Sequence, residues 1–319
     1  MTALSLPARA RLDPRSSRPL AVGLLILAAA LLYLIFRGTA TLPFDQDHGL
    51  FRTLTEARDA IRDDRPAVLE AIGALKGPVG ALTSALIGLL QYVGWLGIIA
   101  IAAAIGWLTG GWRLAVLAVS GLAVVGALGL WQLGMATVGL TMAAVLISLA
   151  IGIPLGIVAA RSDRFRAVVT PVLDIMQIMP TFAYLAPMTL FFGIGGGAAA
   201  IATLIYAMPA AIRITALGIR RVPPATVEAA DSLGATGWQV LRKVQLPLAR
   251  RVIGLAVNQT IMLALGMVVI TVLIDAPGLG VPIIRALERN DVGEAFDAGF
   301  AIVVLAIVLD RLTERASLN

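Results

Sequence analysis

Four polar side chains, Asp174, Gln177, Thr181 and Tyr184, fall at i, i+3, i+7 and i+10 in a stretch otherwise built from apolar residues. On one helix that spacing gathers them into a single stripe, and polar groups at membrane depth face protein or a water-filled path. Pro180, lying among them, removes a backbone donor and permits a kink where a gate would act. The chemistry on offer is solvation of a passing solute, with no bond made or broken. Further along, Asn258 and Met262 share a helical face, with Gln259 beside them. Gln177, Pro180, Thr181, Tyr184, Asn258, Gln259 and Met262 are therefore the candidate translocation-path residues. Interhelical hydrogen bonding, worth about 0.6–2 kcal/mol per contact, is the plainer use of the same polar groups. Asp174 is the weaker candidate, because it lies toward the end of its span.

Catalytic alternatives are thin. The absence of cysteine removes disulfides, thiolate metal sites and cysteine nucleophiles, and a single histidine, His48, leaves neither clustered imidazole ligands nor Ser-His machinery. His48 reads as a solvated loop residue. Lys76 is followed by Gly77 and Lys243 by Val244, so neither lysine completes a GxxxxGK[ST] phosphate loop. No catalytic residue, metal site or cofactor is expected in the chain.

The elements that must position these residues follow from composition. Of 319 residues, 59% are hydrophobic and only 14% charged, and the mean hydropathy is +0.92. These values lie outside the soluble range. No charged residue falls between Arg113 and Arg161, Asp174 and Arg213, or Arg251 and Asp275, and each interval reaches the ~20 residues that cross a bilayer as helix. A β-barrel would need alternating polarity, which these runs lack. The net charge of +6 sits in loops on one side, as the positive-inside rule requires, and does not point to nucleic acid.

The resulting plan is an all-α, polytopic membrane helix bundle of about seven spans plus external amphipathic helices. Residues 1–18 are a basic cytoplasmic N-terminus and 19–37 an uncleaved first transmembrane helix. Residues 38–92 are an external segment, amphipathic at first and interfacial over 77–92. Residues 93–314 form the core. The uncharged stretch from Leu114 to Ala160 divides at Trp131 and Gln132 into two helices, the second carrying the close-packing step Gly152-x-x-x-Gly156. A span runs over 168–192, the next returns to Arg220, and the last two cover 252–274 and 298–309. Both termini are expected in the cytoplasm. Arg213 is within snorkelling reach of the interface.

Between Arg221 and Arg251 the chain forms a basic cytoplasmic loop over 222–250. Pro224 suits the first turn of a helix, Gly234 its left-handed C-terminal position, Thr236 the N-cap of a second helix, and Pro247 the start of the next span. That predicts a stiff helix-turn-helix. Ala229 and Ala230 leave a shallow face that a partner can approach closely, and Glu228 offers it a charge.

Glu228-Ala229-Ala230, three residues, Gly234, nine residues, Val244, one residue and Leu246-Pro247 resemble the EAA motif of ABC importer permeases, with valine at the usual isoleucine position. The resemblance implies that Glu228, Ala229, Ala230, Gly234, Val244, Leu246 and Pro247 couple the chain to an ATPase subunit. More specifically, 174–187, 243–249, 258–265 and 307–313 look like the permease subunit of glycine betaine and proline betaine importers, a likeness covering roughly 131–313.

That resemblance implies the type I importer permease fold and transport of glycine betaine or a related quaternary ammonium osmolyte. Its implied partners are two copies of an ABC ATPase subunit, a second permease subunit as a homodimer, a separate substrate-binding protein and the lipid bilayer. ATP and Mg belong to the partner ATPase. A permease for another small solute, such as an amino acid, is the alternative within transport; a secondary carrier would need no coupling loop.

Overall fold

The computed structural model describes residues 73–318 without interruption, together with isolated positions between 23 and 70. The predicted first transmembrane helix, the amphipathic helices of 38–72 and His48 lie outside that continuous stretch. Two units divide the chain, 1–64 and 65–319, and the second holds the continuous stretch.

Its described residues form eleven α-helices joined by short turns: α1 Lys76–Gly110, α2 Trp112–Ala127, α3 Trp131–Arg161, α4 Asp163–Ile178, α5 Thr181–Phe192, α6 Gly196–Arg220, α7 Pro224–Ser232, α8 Gly237–Val240, α9 Leu246–Ile270, α10 Gly280–Arg289 and α11 Val292–Leu318. A π-helical turn, Leu241–Gln245, joins α8 to α9, and a 3₁₀ turn, Thr271–Ile274, follows α9. Among the described residues, five helical stretches are long and apolar enough to cross a membrane, or six if α4 and α5 count as one broken span. Together with the predicted first helix this is close to the expected count. The 16 residues of α2 reach only ~24 Å at 1.5 Å per residue, short of the ~30 Å hydrocarbon core.

Helix α1 is interrupted at Gly94, where φ is 72° and ψ 172°. The division between α2 and α3 falls beside Trp131, where the sequence places it. Large apolar side chains cover the outside, with Tyr92 91%, Leu108 80% and Ile178 80% exposed, as a bilayer-facing or subunit-facing surface requires.

Helices α3 and α6 make the central contact. Lipid is as apolar as leucine, so helix association depends on close packing of small residues and on internal hydrogen bonds. In α6 every residue from Gly197 to Leu204 is buried. A β-carbon on Gly152 would lie 2.6 Å from that of Ala211, and one on Gly156 2.7 Å from the Ile212 carbonyl oxygen. The Gly152/Gly156 step is thus the surface that lets the two backbones meet. The Ser148 hydroxyl crosses the same contact to donate to the Leu204 carbonyl at 3.0 Å.

Three expectations change. The span predicted over 168–192 is two helices bent by 105°. Met179 precedes a proline and is extended, at φ −62° and ψ 126°, because the Pro180 ring disfavours helical geometry before it. Pro247 does lie in the first turn of α9, but the chain does not leave helix before it, and one helical stretch continues from Gly237 to Ile274. The π-turn accommodates the missing proline donor: the Leu246 N–H reaches back five residues to Leu241. Finally, Arg213 does more than snorkel. It reaches Asp174 on α4, with Nη2 2.5 Å from Oδ1.

Candidate functional site

The loop between α6 and α9 is built by local capping. Pro224 occupies the first turn of α7. At the other end Gly234 is left-handed, with φ +79°, and the Gly234 and Ala235 N–H groups return to the carbonyls of Asp231 and Ala230 at 2.9 and 3.1 Å. This pair of bonds satisfies carbonyls that the helix end would otherwise leave open. Thr236 caps α8 reciprocally: its hydroxyl accepts from the Gln239 N–H, and its own N–H donates to Gln239 Oε1 at 2.7 Å.

Packing divides the motif into a base and a tip. At the base, buried Ile219, Val222, Leu241 and Ala249 form a cluster that Val227 and Leu246 pack against. Val244 is half-buried in the π-turn, whereas Pro247 is exposed. Toward the tip, α7 contains no buried residue. Glu228, Ala229 and Gly234 are exposed and Ala230 half-buried. Beside them Leu233 is 89% and Trp238 62% exposed. The sequence reading passes over these two apolar side chains, because nothing in the pattern tells which faces of so short a helix remain uncovered.

The path candidates separate into two groups. Tyr184 is buried, donates its hydroxyl hydrogen to the Met176 carbonyl across the break between α4 and α5, and meets Tyr206 edge-on, with ring centres 5.8 Å apart. Asn258 is buried too, its amide donating to Asp310 Oδ1 and Thr313 Oγ1, each at 3.0 Å. Both side chains act in helix contacts of this chain. By contrast Gln177, Pro180 and Gln259 are exposed, and Thr181 and Met262 half-buried. With the helix broken at Met179, Asp174 and Gln177 do not continue one straight stripe into Thr181 and Tyr184. Asp174 is engaged by Arg213, which also donates to the Thr170 carbonyl at 3.4 Å. An exposed glutamine on an otherwise apolar surface calls for water or another protein surface at that depth.

Residues 152–315 match the family described as the binding-protein-dependent transport system inner membrane component. Over 203 residues the chain is 49% identical to the glycine betaine/carnitine transport permease protein of Listeria monocytogenes, a match covering 64% of this chain and 72% of that one. Over 214 residues it is 44% identical to the glycine betaine transport system permease protein of Bacillus subtilis, covering 67% and 76%. With the glycine betaine/proline betaine permease protein of Escherichia coli it shares 46% over 216 residues, which span 68% of this chain and 61% of the relative. In fold it is similar to a chain of the inward-facing MetNI methionine ABC transporter, with a TM-score of 0.54 at 21% identity, covering 57% of this chain and 91% of that one. Family match, relatives and helical architecture agree: the chain belongs to the inner membrane components of binding-protein-dependent transport systems, and is a multi-pass permease subunit of that family.

Proposed function

We propose that this permease carries glycine betaine or a related quaternary ammonium osmolyte across the membrane, driven by ATP that a separate ATPase subunit hydrolyses. Substrate class rests on the three betaine permeases at 44–49% identity. The observation that carries the coupling is α7, a capped helix with no buried residue, bearing Glu228 and ending beside uncovered Leu233 and Trp238. A ready-made rigid projection with exposed apolar ends fits a docking element.

In this reading two permeases pair and each engages one ATPase, with ATP and Mg held there. Closure of the ATPases pulls the two loops together and switches the bundles between openings. Loop and both termini lie on the ATPase side. The path runs along the surface carrying Gln177, Thr181, Gln259 and Met262, while Tyr184 and Asn258 hold the helices behind it. A fixed cation is best held by an aromatic cage, and the chain has only five tryptophans and four tyrosines. Tight capture therefore belongs to a separate binding protein, and this subunit offers a weak, transient path.

The test is reconstitution of the four-subunit membrane complex in vesicles, followed by uptake of radiolabelled glycine betaine with ATP on the ATPase side. Uptake should require both the binding protein and ATP. Transport that persists without the ATPase, or tight betaine binding by the purified permease alone, would count against this assignment.

A further inference from the structure

A cavity of about 200 Å³ opens between α3, α4 and α6, on the side of the bundle from which α7 projects. Arg166, Arg213 and Arg220 border it, with Thr170, Leu173 and Leu217 among the rest of its wall. Two carboxylates answer the three guanidinium groups. Asp163 lies 2.5 Å from Arg220 and 3.3 Å from Arg166, and Asp174 lies 2.5 Å from Arg213. Among these five groups one positive charge is uncompensated. The Nε of Arg213 is also buried without a hydrogen-bond partner, and such a donor ordinarily has one.

Depth indicates what fits. Arg220 ends α6, and Arg213, seven residues earlier on the same helix, sits ~10 Å further along it at 1.5 Å per residue. The cavity therefore descends from the helix ends into the spanning region. Its wall is apolar as well as basic, with half-buried Val169 and Leu217, 43% exposed, among the lining residues. A freely dissolved anion has no use for such a wall, whereas an amphiphile does.

We propose that this cleft binds the phosphodiester of an anionic phospholipid, with the phosphate among Arg166, Arg213 and Arg220 and an acyl chain along Val169 and Leu217. Guanidinium forks match phosphate oxygens in geometry as well as charge, and basic pockets between membrane helices are suited to anionic headgroups. One phosphodiester supplies the one negative charge the cluster lacks. A zwitterionic lipid brings its own ammonium and supplies no net charge.

Native mass spectrometry of the purified full-length chain tests this with phosphatidylglycerol, phosphatidylethanolamine and the soluble headgroup glycerol phosphate. Phosphatidylglycerol should be retained at least tenfold better than phosphatidylethanolamine, and millimolar glycerol phosphate should not displace it. Arg166→Gln should lower retention about fivefold or more, as should the double variant Arg213→Gln, Asp174→Asn, which leaves no carboxylate stranded. Arg164→Gln removes the same charge from the same helix outside the cavity wall, and should change retention less than twofold. Equal retention of both lipids, or indifference to the Arg166 and Arg213 changes, overturns the site. Binding of glycerol phosphate in place of the lipid overturns the lipid as ligand and leaves a soluble phosphate ester.

Discussion

Asn258 and Asp310 meet side chain to side chain across 52 residues of sequence, the amide donating to the carboxylate at 3.0 Å while also reaching the Thr313 hydroxyl. The contact fastens α9 to α11 where apolar burial gives helices no reason to prefer each other over lipid. Asn258→Leu removes the donor and leaves the carboxylate short of a partner, so the purified chain should lose about 1–3 kcal/mol of stability. Asp310→Asn keeps an acceptor and should lose less. Thermal unfolding in detergent gives the ranking, and an unchanged Asn258→Leu variant would remove this contact from the supports of the fold.

Gly234 separates backbone strain from bulk. Its φ is +79°, yet nothing lies within 4 Å of where a β-carbon would stand. Substitution is therefore opposed by conformation alone, at about 1–2 kcal/mol for an ordinary residue and less for asparagine. Gly234→Asn should retain ATP-dependent uptake, and Gly234→Val should lose most of it while still inserting in the membrane. Equal uptake by the two variants would show that the left-handed turn is dispensable to coupling.

The opposite case is Gly156, where a β-carbon would meet the Ile212 carbonyl oxygen at 2.7 Å and the Thr215 β-carbon at 2.8 Å. Backbone on the far side cannot swing away, so Gly156→Ala should destabilise by about 1–3 kcal/mol. Gly266, in α9, has open space around it, and Gly266→Ala should be neutral or gain up to about 1 kcal/mol from helix propensity. Unfolding of the two variants side by side checks both signs.

Tyr184 and Gln177 should fail differently. Tyr184→Phe deletes the hydroxyl that bridges to Met176 and should cost about 0.5–1.5 kcal/mol of stability. Gln177→Leu touches an exposed side chain and should leave stability unchanged while slowing uptake. Normal transport by Gln177→Leu would take Gln177 off the path.

Orientation can be read with introduced cysteines, since the chain has none. Trp238→Cys, at an exposed position, should react only from the ATPase side, and Ala60→Cys only from the opposite side. The reverse pattern would invert the topology argued from loop charge.

Local chemistry made the loop legible in advance. Pro224, Gly234 and Thr236 act through bonds within a few residues of themselves, so their roles can be read from spacing. The Gly152/Gly156 step is similarly plain. What escaped depends on distant partners. Pro180 announces a disruption, but no neighbouring residue encodes a bend of 105°, across which Tyr184 reaches back to Met176 while meeting Tyr206 edge-on. Arg213 reads as a snorkelling residue because its partner Asp174 lies 39 positions away. Asn258 finds its partners Asp310 and Thr313 52 and 55 positions away. Periodicity reports which residues are polar, not which neighbour claims them.

The helix that passes through the π-turn has a mechanical consequence. Thirty-eight residues from Gly237 to Ile274 make a rod of ~57 Å at 1.5 Å per residue, and each degree of tilt about one end moves the other by roughly 1 Å. At its far end the Ile274 carbonyl accepts the Gly195 N–H at 2.8 Å, in the turn between α5 and α6. A force applied near Trp238 thus has a stiff lever to the turn that ends the broken helix pair, with no intervening loop to absorb the stroke.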